Sequence, residues 1–293
     1  MSGLHRLGLG TAQFGLPYGI SNVHGQLAAP TVFSILDRAR SEGVGLLDTA
    51  AAYGASESVL GQYPQLDQFR IVTKLRPLNT SAPDLQKELQ ASLGRLQQPS
   101  VYGYLFHRTE DVLEQPHRWQ TLQTLKANGL IAKLGLSVYA PEQIEAAWSL
   151  NIEPDLLQIP YSLFDQRFEA LLPVVAEKGV EIHARSVFLQ GAPFLSATQR
   201  QDLFGYDPPG FGIAAGWAHR LGVSLPHLLL ASAALNPYIH HFVIGVDSLA
   251  SFTLNLAYEG VLSKVAPVVE ELKLSARIAD TAVVLPIHWK PKR

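Results

Sequence analysis

The sequence predicts an α/β fold: a parallel sheet closed into a single (β/α)8 TIM barrel domain over residues 1–293. Eight short, β-rich apolar runs alternate with segments of helical periodicity. Polar and ionisable residues sit at the ends of consecutive runs, where a barrel builds its active-site mouth. At 293 residues and 47% apolar, the chain has the length and core for one barrel of roughly 250 residues plus additions. No internal repeat or low-complexity linker divides it.

The first strand is expected over 5–9. The next helix has Pro30 in its first turn, Val32, Phe33, Ile35, Leu36 and Ala39 on one side, and Gly43 as its stop. Further strands fall over 44–48, 70–74, 101–106, 132–137, 155–159, 180–184 and 241–245. Leu85, Leu89, Leu93 and Leu96 recur at helical spacing after the third strand. Other helices are expected near 115–128, 141–150, 166–178, 224–235 and 248–258. The stretch 186–216 is long for a strand–helix connection and rich in Gly, Pro and aromatic residues, so it reads as a long loop serving as a lid or a ligand clamp. The tail 275–293 carries Val283, Val284, Leu285, Ile287 and Trp289 and is expected to pack on the barrel.

Asp48, Tyr53, Lys74 and His107 lie at or just past three consecutive strand ends, in VGLLDTAAAYG, FRIVTKL and VYGYLFHR. A barrel would bring them to one pocket. Reducing a carbonyl needs a hydride, which only a cofactor supplies, and a proton from an acid beside the carbonyl oxygen. A phenol is a weak acid at neutral pH, and a neighbouring ammonium is expected to lower its pKa. In this reading Tyr53 gives the proton, Lys74 tunes it, Asp48 holds Lys74, and His107 orients the carbonyl oxygen.

These segments resemble the aldo-keto reductase family over nearly the whole chain. LLDTAAAYGASESVLG is similar to the family signature D-T-A-x-x-Y-G-x-S-E-x-x-L-G. LGLGTAQFG, IVTKL, YLFHR, IAKLGLSVY, LLQIPYSLFDQ and VIGVDSLASFTLNL resemble its other strand-end segments. The resemblance implies a barrel that binds NADP(H) or NAD(H) without a Rossmann domain, with Tyr53 as general acid/base. It places Gly10 and Thr11 under the nicotinamide ribose, and Ser137 and Gln158 on the carboxamide. Arg185, Ser186, Phe188 and Gln190 follow strand seven along the cofactor. Gly245, Asp247, Ser248, Ser251 and Asn255 take the adenosine end, in keeping with the phosphate site of barrels after strands seven and eight. Gly8 and Gly10 do not form a dinucleotide fingerprint, because the next glycine is Gly15.

The chain departs from the family at several points. Val138 stands where many members have Asn, and Arg185 where many have an aromatic ring; a planar guanidinium stacks too, or pairs with a substrate anion. The 2′-phosphate region has no cation, and Asp247 pulls toward NAD(H), whereas the resemblance favours NADP(H). Few residues precede His5, so the barrel floor is expected to be more open than in members with a plugging hairpin. Phe14, Tyr18, Arg108, Tyr139 and Trp289 are candidate substrate-pocket residues, and a small polar carbonyl such as a sugar aldehyde is the expected substrate. His240 and His241 are adjacent and point to opposite faces of a strand, so no metal site is expected.

The net charge of −2 and the lack of a basic block argue against nucleic-acid binding. No apolar run spans a bilayer, no signal peptide is evident, and no cysteine is present, which together suit a cytoplasmic enzyme. The oligomeric state is open. Two alternatives remain at this stage: a cofactor-binding, redox-sensing subunit with little turnover, and a lyase using Lys74 as a Schiff-base amine.

Overall fold

The computed structural model describes residues 3–20, 22, 25–78 and 84–289. Eight parallel strands close in chain order: β1 (Leu7–Gly10), β2 (Leu46–Asp48), β3 (Arg70–Leu75), β4 (Val101–Phe106), β5 (Ile131–Ser137), β6 (Leu156–Pro160), β7 (Glu181–Arg185) and β8 (His241–Gly245). β1 closes the ring, pairing Gly10 with Asp48 on one side and with Gly245 on the other. Helices surround the sheet. The apolar faces of the helices Ala29–Ser41 and Leu85–Leu96 bury Val32, Ile35, Leu36, Leu89 and Leu96 in one continuous core with the strands. Leu46, Val72, Leu105, Leu156 and Val243 form a separate apolar cluster, one side chain from each of five strands, as in a filled barrel interior. Gly135 belongs there because a Cβ would lie 2.1 Å from the Leu156 carbonyl oxygen.

The eight-stranded barrel is the one expected, with differences at element ends. His5 and Arg6 are not strand; they lie in the 3-10 turn Gly3–Arg6. Arg6 is drawn out of the sheet because its guanidinium donates to the carbonyls of Ala234, Asn236 and Ile239. The helix expected over 166–178 shortens to Leu172–Glu177. Its first part is taken by a turn in which Ser162 Oγ accepts from the amides of Phe164 and Asp165, and Arg167 folds back onto the Asp165 carboxylate.

The long connection after β7 is ordered into a 3-10 segment, Leu189–Phe194, and two helices, Ala197–Phe204 and Pro209–Leu221. With the tail it forms a second apolar cluster in which Phe211, Trp217, Leu272, Ile278, Val283 and Val284 are buried. The tail therefore packs on the body, although Ile287 is exposed and residues 290–293 of the expected tail lie outside the described residues. Among the described residues no helix is long and apolar enough to cross a membrane.

The floor of the barrel, at the N-terminal strand ends, is filled rather than open. Glu181 accepts from Tyr102 Oη and His183 Nε2, both at 2.6 Å, and pairs with Lys133 at 2.5 Å. Arg70 bonds His241 Nε2 at 3.0 Å and stacks over the Tyr102 ring. Because a guanidinium only donates, His241 Nε2 is the acceptor there and its proton sits on Nδ1.

Candidate active site

At the opposite end, the strands deliver polar residues to a cavity of about 550 Å³. Gly10, Asp48, Ser137, Gln158, Arg185 and Gly245 line it from β1, β2, β5, β6, β7 and β8, together with Tyr53 and His107 from the turns after β2 and β4. Lys74 lies just beneath. It is 1% exposed and sits 2.7 Å from both carboxylate oxygens of Asp48, with a third bond of 3.0 Å to the Thr49 carbonyl. Its ammonium is 5.1 Å from the centre of the Tyr53 ring, and the His107 ring meets Tyr53 edge-on at 5.7 Å.

The turn carrying Tyr53 is held by close backbone packing. A Cβ on Gly15 would lie 1.9 Å from the Tyr53 carbonyl oxygen, and one on Gly54, whose φ is +55°, would lie 2.3 Å from the Gly15 carbonyl oxygen. The signature residues around it are structural. Ser56 Oγ donates to the Thr11 carbonyl oxygen at 2.9 Å and lies 3.1 Å from Thr49 Oγ1. Buried Glu57 accepts from Thr73 at 2.6 Å and from Arg95 at 2.7 Å, tying the helix Ser56–Gly61 to β3 and to the helix Leu85–Leu96.

The electrostatics differ from the expectation at Tyr53. Its pKa is raised, not lowered, first by burial and then by the Asp48 charge, while Arg185 pulls the other way. Asp48 already neutralises the Lys74 ammonium, so the pair presents little net positive charge to the phenol. Lys74 itself is pushed down by burial and partly restored by Asp48. His107 falls to about 4, through burial first and Lys74 second, so its imidazole is neutral at pH 7. The site thus holds a protonated phenol beside a neutral imidazole, a pair able to give a proton and a hydrogen bond to one oxygen.

Among the described residues lining the cavity, three buried atoms, Gln158 Oε1, Gln13 Oε1 and His107 Nδ1, have no hydrogen-bond partner. Gln158 spends its amide N–H on Asp48 Oδ1 at 2.7 Å, which leaves its carbonyl for a ligand donor. At the far end of the cavity, Ser248 caps the helix Leu249–Leu256, and Ser251 Oγ donates to Asp247 Oδ1 at 2.7 Å.

Residues 6–264 match the profile of the Aldo/keto reductase family. This chain belongs to the aldo/keto reductase family. It is 26% identical over 299 residues to aflatoxin B1 aldehyde reductase member 2 of Rattus norvegicus, covering 85% of this chain and 78% of that protein. An aldo-keto reductase from Bacillus halodurans superposes with a TM-score of 0.73 at 17% identity, covering 94% of both chains. An aldo/keto reductase from Klebsiella pneumoniae, in complex with NADP and acetate, gives 0.69 at 22%, covering 94% of this chain and 93% of that one.

Within this aldo/keto reductase, the cavity gathers most of the residues expected from sequence: Asp48, Tyr53, His107, Gly10, Ser137, Gln158, Arg185, Ser186, Phe188, Gln190, Gly245, Asp247, Ser251, Asn255, Tyr18 and Tyr139. It does not gather the rest. Thr11 is fully buried and bonds Asp48 O at 3.1 Å, so it supports β2 rather than the cavity. Ser248 is spent on its helix cap. Phe14 is core. Arg108 points to the rim, 3.4 Å from Asp111. Trp289 Nε1 donates to the Val283 carbonyl, and its ring packs on Phe204, so Pro286 and Ile287 line the cavity in its place.

Gln13, a polar group expected near the mouth, and Val187, inside the 186–190 stretch, also line the cavity, and Asn22 lines it without a sequence signal. Gln13 carried one signal, an uncharged polar residue in an apolar strand-end turn. Of the metal-ligand residue types, Glu181, His183 and His241 lie with ligand atoms within 4.8 Å of one another. Strand adjacency separates His240 from His241, but β7 supplies the other two. The set belongs to the barrel floor, where Lys133 and Arg70 already occupy Glu181 and His241.

Proposed function

We propose that this reductase interconverts an aldehyde or ketone and its alcohol with a nicotinamide dinucleotide, with Tyr53 as general acid/base. The observation that carries the reading is the convergence of Tyr53, His107 and the Asp48–Lys74 pair at one cavity whose walls continue to Gly245 and Asn255. The cofactor, when bound, supplies the hydride. The orphaned Gln158 Oε1 suits a carboxamide N–H, and Ser137 lines the cavity beside it on the neighbouring strand, in register with Gln158. Asp48 and Lys74 are positioning residues: they fix the turn under Tyr53, and Lys74 reaches the phenol ring only through its face. The polar walls, Asn22, Gln190 and Tyr18, favour a sugar or another small polar carbonyl. One barrel domain over 1–293 serves both ligands.

The dinucleotide is NADP(H) or NAD(H). The Klebsiella relative's structure holds NADP. Here Arg185 is the single Lys or Arg among the described cavity-lining residues, and Asp247 lies toward the Gly245–Asn255 end. A carboxylate there disfavours a 2′-phosphate, which supports NAD(H). The Schiff-base reading loses support because Lys74 is buried, outside the cavity lining, and bound to a carboxylate.

The test is a fluorescence titration with NADPH and with NADH, followed by turnover of a carbonyl panel by wild type and Tyr53→Phe. Loss of about 10²–10⁴ in kcat with cofactor binding intact supports the acid/base role. Binding of neither cofactor, or full activity in Tyr53→Phe, sinks it. In Asp247→Ser, NADPH affinity should rise relative to NADH.

A further inference from the structure

Arg108 and Arg167, on the segments that follow β4 and β6, are neutralised. Arg108 lies 3.4 Å from Asp111, and Arg167 chelates Asp165 through Nε and Nη2 at 2.8 Å each. Arg185, the last residue of β7, is different. Among the described residues it has no carboxylate within ion-pair distance, yet it is half-buried and lines the cavity with Tyr53 and His107.

Its position is fixed. The guanidinium carbon sits 4.2 Å from the centre of the Tyr139 ring, so one face is covered by an aromatic. Nη2 donates to the Val138 carbonyl at 3.1 Å and Nη1 to Ser186 Oγ at 3.4 Å. The rest of its fork of donors has no partner among the described residues. Of the carboxylates lining the cavity, Asp48 is paired with Lys74, and Asp247, at the far end, is not within ion-pair distance of Arg185. A half-buried cation without a counter-ion costs desolvation energy, and an anionic ligand would offset that cost. Its charge is felt at Tyr53 and His107, which puts it within electrostatic range of the proposed reacting oxygen.

We propose that Arg185 is an anion-recognition residue and that the substrates are carbonyl compounds carrying a carboxylate or a phosphate. This rests on the carbonyl-reductase reading and narrows it. The planar fork suits bidentate binding of either group, and stacking on Tyr139 holds it pre-organised. Val138 and Arg185 thus act together: the Val138 carbonyl anchors one nitrogen of the guanidinium.

The experiment compares matched pairs in the wild type with the preferred nicotinamide cofactor: 4-oxobutanoate against butanal, and glyceraldehyde 3-phosphate against glyceraldehyde. The expected result is a kcat/KM higher by about tenfold or more for the anionic member of at least one pair, carried mainly by KM and weakened by salt. Which pair shows it separates carboxylate from phosphate. In Arg185→Gln that ratio should fall toward one, and Arg185→Lys should keep part of it as a point charge. Equal turnover of anionic and neutral members in the wild type overturns the inference while leaving carbonyl reduction standing. So does an equal loss on both members in Arg185→Gln, since a cation that serves only the reacting oxygen or the cofactor affects both alike. Failure to reduce any carbonyl overturns both readings.

Discussion

Gln158 on β6 reaches across the barrel mouth and donates its amide N–H to Asp48 Oδ1 on β2 at 2.7 Å. The bond does two things at once. It completes the shell of the buried carboxylate, and it orients the glutamine so that its carbonyl is left for a ligand. Gln158→Leu should therefore cost about 1.5–3 kcal/mol of stability, the usual range for a hydrogen bond to a charged group. It should also weaken nicotinamide-cofactor binding. Denaturant unfolding and a fluorescence titration on the same preparation check both; unchanged cofactor affinity would count against the carboxamide role.

The Asp48–Lys74 pair is buried on both sides, at 5% and 1% side-chain exposure. Removing one partner strands a charge. Asp48→Asn should destabilise by about 3–5 kcal/mol, and the double change Asp48→Asn with Lys74→Met by much less than the sum of the singles. A double-mutant cycle in urea measures the coupling. Additive single costs would mean that the two charges are independently solvated.

Gly15 is a more severe position than its turn location suggests. With 1.9 Å to the Tyr53 carbonyl oxygen and 2.4 Å to the Ser56 amide nitrogen, Gly15→Ala must move the Tyr53 turn. The expected outcome is a fall of about 10² in kcat, the cost of a displacement near 1 Å, alongside a lower melting temperature. Full activity would show that the turn relaxes without shifting the phenol.

Acid should weaken the barrel floor. Burial alone would raise the Glu181 carboxyl, but bonds from His183, Lys133 and Tyr102 hold it well below the carboxylate range. Burial, then His183 and Arg70, push His241 from 6.5 down to about 3. Both groups have depressed folded-state values, so the unfolded chain binds protons first. Their stability is complete above pH 6.5 and is lost as pH falls, the histidine part between 6.5 and about 3 and the carboxylate part from about 4.5 downward. The melting temperature should drop through this window, and His241→Gln should flatten the drop. A flat wild-type profile from pH 7 to 4 would refute the assignment.

The strands and most of the mouth were legible because a barrel strand writes its inward and outward faces as short apolar runs, and its end as a polar residue. Asp48, Lys74 and His107 were found this way, and Gln158 through the family resemblance. Misses arose where a side chain had a use that no periodicity records. Arg6 leaves the strand pattern to bind three carbonyls of a distant loop. Trp289 turns inward to Val283 rather than to the cavity. The lowering of Tyr53 by Lys74 failed because the sequence pattern does not show how deeply the phenol is buried, the first cause of its raised pKa, with the Asp48 charge second. Glu181, His183 and His241 come together only through strand pairing, since His183 stands opposite His241 across β7 and β8.

The excursion after β7 and the tail pack into a second apolar cluster with Leu163, Phe164 and Leu228, Leu229 and Ala231 of the helix Leu225–Ala234, distinct from the cluster that holds the strands. The cavity wall they supply, including Phe194, Pro286 and Ile287, is thus mounted on a separate foundation from Tyr53 and His107. The molecule is built like a tool with an exchangeable jaw. Residues 189–222, transplanted together with 262–289 as a cassette from a relative, should retarget the enzyme while the proton donor stays where β2 and Gly15 put it.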